Sequence, residues 1–232
     1  MLMRLRKIME PIVAGIDEAG RGPLIGDMFM VMVIVKESDV QKLKTMGVKD
    51  SKKLTKADRE RLFSTILNLL EVAIVTRIQP HEIDNENLNI LEARALCRLI
   101  SHACSILKID RIYIDAFAYY QKIMEYIKLC NNICTNLHNM VVEYGADDKY
   151  VVVSAASIIA KVLRDSHIDM LKQFYGDFGS GYPSDKRTIE WLKTYYNEHK
   201  KLPPIVRRSW KTVDKIIRSR ESLDRYLHGY GR

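Results

Sequence analysis

Four carboxylates stand at positions from which a mixed α/β protein can do chemistry: Asp17 and Glu18 side by side, Asp115, and Asp165. Asp17 closes the apolar run P-I-V-A-G-I-D and Asp115 closes R-I-Y-I-D, so each is expected at the end of a short buried strand. Asp165 falls in a helical stretch. Taken singly, each reads better as a solvated strand end or a helix charge partner. Side chains at successive strand positions point to opposite faces, so Asp17 and Glu18 share a site only if the chain bends; Gly20 and Gly22 allow a bend. Four carboxylates a few ångströms apart would raise one another's pKa values and call for a compensating cation. Oxygen-only ligands favour Mg2+ or Mn2+ over zinc, and two such ions ~3.5–4 Å apart suit the hydrolysis of a phosphodiester. Spacing alone does not bring the four together.

The elements that must position them follow from apolar periodicity. Strands are expected over Pro11–Asp17, Leu24–Val35, Glu71–Ile78, Arg111–Asp115 and His138–Tyr144. The Gly22-Pro23 turn suggests that the first two pair antiparallel. Helices are expected from Thr55, as N-cap, to about Leu70, then over Asn87–Leu107, Tyr119–Leu129, Ser154–Phe174 with Ser154 as cap, and Asp185–His199. A Pro203-Pro204 break precedes a basic helical tail from about Trp210. The expected fold class is therefore α/β, a mixed sheet flanked by helices with a small helical C-terminal region. The division falls near residue 175, giving domains 1–175 and 176–232.

Composition narrows the setting. The chain has 232 residues, 47% hydrophobic and 28% charged, which fits a globular protein with a substantial core. No apolar run approaches the ~20 residues that span a bilayer, and residues 1–10 mix charge with apolar side chains unlike a signal peptide. A soluble, cytoplasmic protein with no membrane role is expected. The four cysteines form no C-x-x-C pair and read as small buried hydrophobes in a reducing compartment. A net charge of +8 points to a polyanionic partner. Lys200, Lys201, Arg207, Arg208, Lys211, Lys215, Arg218 and Arg220, opposed only by Asp214, form a candidate phosphate-tracking segment.

Five motifs then occur in order: G-I-D-E-A-G-R-G-P (Gly15–Pro23), D-S-K-K-L (Asp50–Leu54), Y-I-D-A-F (Tyr113–Phe117), A-A-S-I-I-A-K-V-L-R-D (Ala155–Asp165) and G-S-G-Y-P-S-D (Gly179–Asp185). Together they closely resemble type 2 ribonuclease H, the ribonuclease HII family, in its archaeal single-chain form. The resemblance runs from about Ile12 to Lys211. It implies a ribonuclease H-like sheet and a metal-dependent endonuclease that hydrolyses RNA paired with DNA. Cleavage 5′ of single ribonucleotides in duplex DNA is implied as well, leaving 3′-hydroxyl and 5′-phosphate ends. The metal site implied is Asp17, Glu18, Asp115 and Asp165, holding Mg2+ or Mn2+.

By the same resemblance, Gly20-Arg21-Gly22 senses the ribose 2′-hydroxyl, since glycines without Cβ atoms let backbone groups approach a sugar. Arg21 would hold phosphate or position the turn. Ser51, Lys52 and Lys53 match a phosphate-contacting loop, and Lys161, four residues before Asp165 on one helical face, would pair with that carboxylate or reach phosphate. Tyr182 matches a tyrosine that packs on the sugar beside the cleaved junction; otherwise it is a loop anchor. Residues Val142–Tyr150 depart from the family pattern, which usually has a histidine and lysine before A-D. Leu223, Tyr226 and Leu227 have the spacing of a sliding-clamp-binding peptide, or belong to an amphipathic helix folded on the body. A monomer is expected. Two rival readings are a ribonuclease HIII-like preference for ribonucleotide runs and a non-catalytic nucleic-acid binder.

Overall fold

A computed structural model describes residues 10–48, 54–130, 133 and 137–219. Strand β1 (Ile12–Ala19) leads to β2 (Met28–Lys36), helix α1 (Glu37–Thr45), α2 (Lys56–Leu67), β3 (Val72–Ile78), α3 (Pro80–Asn85) and α4 (Leu88–Ile106). Then follow β4 (Arg111–Asp115), α5 (Tyr120–Lys128), β5 (Met140–Glu143), α6 (Ala146–Lys149), α7 (Val151–Tyr175) and α8 (Lys186–His199). Residues 211–219 are also helical. The strands form a mixed five-stranded sheet in the order β3-β2-β1-β4-β5, with the helices flanking it as expected.

The burial of each strand matches its place. Seven of the eight residues Phe29–Lys36 that continue β2 from Met28 are buried and only Lys36 is half-exposed, the near-continuous apolar run of a strand covered on both faces. Strand β3, at one edge, alternates partly buried and exposed side chains. Strands β1, β4 and β5 run parallel, with Ile16 opposite Ile114 and Asp115 opposite Glu143. One step beyond Ile16 and Ile114, Asp17 and Asp115 therefore reach the same end of the sheet.

Two compact units emerge. The first gathers the chain up to Glu18 with Met30–Thr76 and Ala93–Val162; the second gathers Ala19–Phe29, Arg77–Glu92 and the chain from Leu163 onward. In the first, Leu96, Leu99 and Ile100 of α4 and Val153, Ala156 and Ile159 of α7 are buried. In the second, Leu24, Ile25, Ile168, Phe178, Leu192 and Val206 form a common core. No helix among the described residues is long and apolar enough to cross a membrane.

Several local expectations are corrected. The second strand starts at Met28 rather than Leu24, because Leu24 and Ile25 pair with the chain near Val206 instead of extending the sheet. Helix α7 begins at Val151, and Ser154 is a buried residue inside it rather than its cap. Helices α1 and α3 are additions; the short α3 starts with Pro80 and a capping box between Gln79 and Glu82. Thr55 does cap α2, its hydroxyl accepting the Asp58 N–H at 3.2 Å. Three of the cysteines, Cys97, Cys104 and Cys130, are not free hydrophobes. Cys97 of α4 and Cys130, just past α5, form a disulfide with Cα atoms 5.3 Å apart, and Cys104 is disulfide-bonded as well. Reasoning from compartment alone misses this, since pairing depends on where α4 and the end of α5 meet.

Gly15 of β1 explains how closely α7 can approach the sheet. A Cβ there would overlap the Val152 carbonyl and the Val153 nitrogen, both backbone atoms that cannot rotate away. Gly15→Ala is expected to destabilise the protein by about 1–3 kcal/mol, the usual range for overpacking. Thermal melting checks this; an unchanged midpoint would mean the contact relaxes freely.

Candidate active site

Parallel strands bring their carboxyl-terminal ends to one edge, and three carboxylates gather there. One oxygen each from Asp17, Asp115 and Asp147 lie within 4.8 Å of one another. Asp17 and Asp115 come from β1 and β4. Asp147 comes from α6, the four-residue helix after β5, where Gly145 (φ 67°) turns the chain back. The Ala146 N–H at the start of that helix donates to Asp115 Oδ1 at 2.9 Å, which ties α6 to the end of β4. Glu143, opposite Asp115 in the ladder, is drawn off by Lys149 and by the Tyr150 hydroxyl at 3.0 Å.

Asp17 is only 5% exposed. Burial pushes its carboxyl up to about 7, helped by the negative charges of Asp115 and Asp147. The Ser157 hydroxyl and the Glu18 N–H, at 2.7 Å, donate to it and pull the other way. A buried carboxylate crowded by two others is the environment that a divalent cation relieves. The all-oxygen donor set fits Mg2+ or Mn2+, so the residues present suit such an ion.

The predicted acids are distributed as follows. Asp17 and Asp115 belong to the triplet. Asp147 was not anticipated, although its place just after a third parallel strand was the available signal. Glu18 is half-buried in β1 beside Asp17. Asp165 lies in the second unit, on α7 one turn after Lys161, and accepts from Arg164 at 3.3 Å.

The second unit holds Gly20, Arg21, Gly22 and Tyr182, while Lys161 lies in the first. Gly20 has φ 94°, and a Cβ there would lie 2.9 Å from the Asp27 carbonyl oxygen, so glycine is required. Gly22 faces the Tyr182 ring, with 3.7 Å between its notional Cβ and the ring edge. Arg21 turns to α4, pairing with Glu92 and donating to Asn89 Oδ1 at 2.7 Å. Glu92 is fully buried; burial raises its carboxyl to about 7, against the opposing pull of Arg21. The Arg164 guanidinium lies 4.9 Å from the Tyr182 ring centroid and donates to the Ser180 carbonyl at 2.6 Å. One residue of the expected phosphate-tracking segment is corrected: Arg207 is 0% exposed and points inward. Burial, and then the neighbouring Arg164 charge, lower its pKa to about 10. Ser51, Lys52, Lys53, Arg220, Leu223, Tyr226 and Leu227 lie outside the described residues.

The ribonuclease HII family profile matches residues 14–213. The chain belongs to the ribonuclease HII family. It is 42% identical to the ribonuclease HII of Pyrococcus horikoshii over 219 residues, 93% of this chain and 99% of that one. The crystal structure of ribonuclease H2 from Pyrococcus horikoshii OT3 matches with a TM-score of 0.82 at 44% identity, covering 90% of this chain and 98% of that one. The structure of an Archaeoglobus fulgidus ribonuclease HII in complex with PCNA matches with a TM-score of 0.73 at 36% identity, covering 88% and 96%. This ribonuclease HII is thus a ribonuclease H endonuclease acting on RNA paired with DNA, and the ribonuclease H-like fold class is met. Its acidic cluster is compatible with divalent metal use.

The Asp17 carboxyl has a consequence for stability. Its folded pKa of about 7 exceeds the ordinary 3.8, so between these values the folded state binds the extra proton and stability falls as pH rises. Asp17→Asn removes that penalty. The metal-free variant should melt several degrees above metal-free wild type at pH 8, with the gap closing toward pH 4. Calorimetric titration should find Mn2+ binding by wild type weakening from pH 8 to pH 6, because the ion must displace the proton. Equal melting points and pH-independent binding would show the carboxyl to be unperturbed.

Proposed function

We propose that this ribonuclease HII nicks the phosphodiester on the 5′ side of a single ribonucleotide embedded in duplex DNA, besides cutting the RNA strand of RNA/DNA hybrids. The products are 3′-hydroxyl and 5′-phosphate ends. The observation that carries the reading is the glycine turn itself: Gly20-Arg21-Gly22, with Gly22 facing the Tyr182 ring, leaves backbone next to an aromatic surface. A ribose fits such a place, with its 2′-hydroxyl read by the backbone and its ring face by the tyrosine.

The ligand set implied by the family resemblance is Asp17, Glu18, Asp115 and Asp165, and the clustering of Asp17 with Asp115 and Asp147 supports adding Asp147. Two Mg2+ or Mn2+ ions held there would supply activation of the attacking water and stabilisation of the leaving oxygen. The protein's own part is to orient. Ser157 and the Glu18 N–H keep the Asp17 carboxylate turned to its position. The Ala146 N–H does the same for Asp115. Lys161, with Ser51, Lys52 and Lys53, is assigned to backbone phosphates, and Arg21, engaged with Glu92, is assigned to positioning the turn.

Residues 176–232 act in this reading as a substrate-clamping region joined to a catalytic part over 1–175. Leu223, Tyr226 and Leu227 would dock on a sliding clamp, a reading supported by the PCNA complex of the Archaeoglobus relative. The protein works as a cytoplasmic monomer that removes misincorporated ribonucleotides and RNA primers.

A labelled duplex with one ribonucleotide, incubated with Mg2+, Mn2+ or EDTA, tests the reading. A metal-dependent nick 5′ of the ribonucleotide is expected. Cutting of a long hybrid alone would indicate a ribonuclease HIII-like specificity, and binding without turnover a non-catalytic role. Asp17→Asn and Asp115→Asn should each lower kcat more than about 100-fold with duplex affinity largely kept, since even outer partners of metal ligands are worth 10–100-fold. Asp147→Asn should lower kcat at least about tenfold by the same comparison; near-normal turnover in it would remove Asp147 from the site.

A further inference from the structure

A guanidinium buried without a carboxylate partner is costly, so its hydrogen bonds show what it is there to hold. Arg207 is such a group. Nη2 donates to the Gly20 carbonyl at 2.6 Å, Nη1 to the Arg21 carbonyl at 3.1 Å, and Nε to the Gly26 carbonyl at 3.0 Å. Its own backbone is pinned to the same loop. The Arg207 N–H donates to the Leu24 carbonyl at 2.9 Å, the Gly26 N–H to the Ile205 carbonyl at 2.8 Å, and Ile25 bridges Val206. Trp210 adds a bond from its indole N–H to the Pro23 carbonyl.

We propose that Arg207 is a positioning residue for ribose recognition, the fork that sets the Gly20-Arg21-Gly22 turn in its reading conformation. A peptide unit is planar, so fixing a carbonyl fixes the N–H on the opposite side of the same plane. Holding the Gly20 and Arg21 carbonyls thus aims the Arg21 and Gly22 N–H groups outward. Neither amide has an acceptor among the described residues. Two free, fixed donors at a turn too small to carry side chains on its glycines are suited to a sugar hydroxyl. The planar guanidinium matters more than its charge. A lysine ammonium cannot present donors to all three carbonyls in one plane. This inference rests on the ribose-sensing role assigned above.

The test compares full-length wild type, Arg207→Lys and Arg207→Gln on duplexes with either one ribonucleotide or one 2′-fluoro nucleotide at the same position. Fluorine keeps a similar sugar pucker but is a very poor hydrogen-bond acceptor, so it cannot take up the two N–H donors as a hydroxyl oxygen does. In the variants the hydroxyl-to-fluoro ratio of kcat/KM should fall at least about tenfold through kcat, since a misplacement near 1 Å can cost ~100-fold. Affinity for uncut duplex should stay within about threefold, because phosphate contacts dominate it. A merely structural Arg207 would reduce the folded fraction and slow both substrates equally, leaving the ratio unchanged. Arg208→Ala, which removes the bond to the Leu202 carbonyl from the same segment, serves as that control and should leave the ratio unchanged.

Trp210→Phe makes the assignment testable even if neither Arg207 variant melts cooperatively. It removes the indole bond to the Pro23 carbonyl while keeping Arg207, and the ratio should persist within about threefold. A ratio kept in folded Arg207 variants, or lost in Trp210→Phe, overturns the proposal. Failure of the underlying ribose-sensing role would appear separately, as wild type that does not nick the ribonucleotide duplex.

Discussion

Three carboxylates held within 4.8 Å of one another repel, and the first unit of this ribonuclease HII is organised around keeping them there. Parallel pairing of β1, β4 and β5 delivers two of them to one edge in register and sets the third one short turn away. Donors then orient them: Ser157 and the Glu18 N–H on Asp17, the Ala146 N–H on Asp115. The neighbouring Glu143 is neutralised separately by Lys149, so it does not add a further charge. A carboxyl held well above its ordinary pKa is the cost of this arrangement in the metal-free protein, and a bound cation is what removes it.

The second unit solves the opposite electrostatic problem. Its buried charges include two arginines, Arg164 and Arg207, beside Asp27 and Glu92, and the bonds of Arg207 go to backbone carbonyls rather than to acids. Arg207 gathers three carbonyls of the loop that follows β1, and Arg164 takes the Ser180 carbonyl while lying against Tyr182. Each guanidinium converts a glycine-rich segment, which alone would sample many conformations, into one shape. The same logic explains why Gly20 and Gly181, both at positive φ, are crowded by neighbours rather than loosely exposed.

Much of this was legible in the chain itself. Strand and helix order, the carboxylates at the ends of β1 and β4, the cap at Thr55, and membership of the family all follow from local periodicity and ordered motifs. These features depend on contacts between residues close in sequence, which local patterns record. What only the tertiary structure decided depends on contacts across long separations. Asp147 joins the site because Ala146 meets Asp115, 31 residues away. Cys97 pairs with Cys130 across 33 residues because α4 and the end of α5 converge. Arg207 looked like one more phosphate-seeking cation in a basic segment, yet it turns inward to a carbonyl 187 residues earlier. Whether a charge faces solvent or a buried turn is set by which backbone packs against it, and no local spacing carries that information.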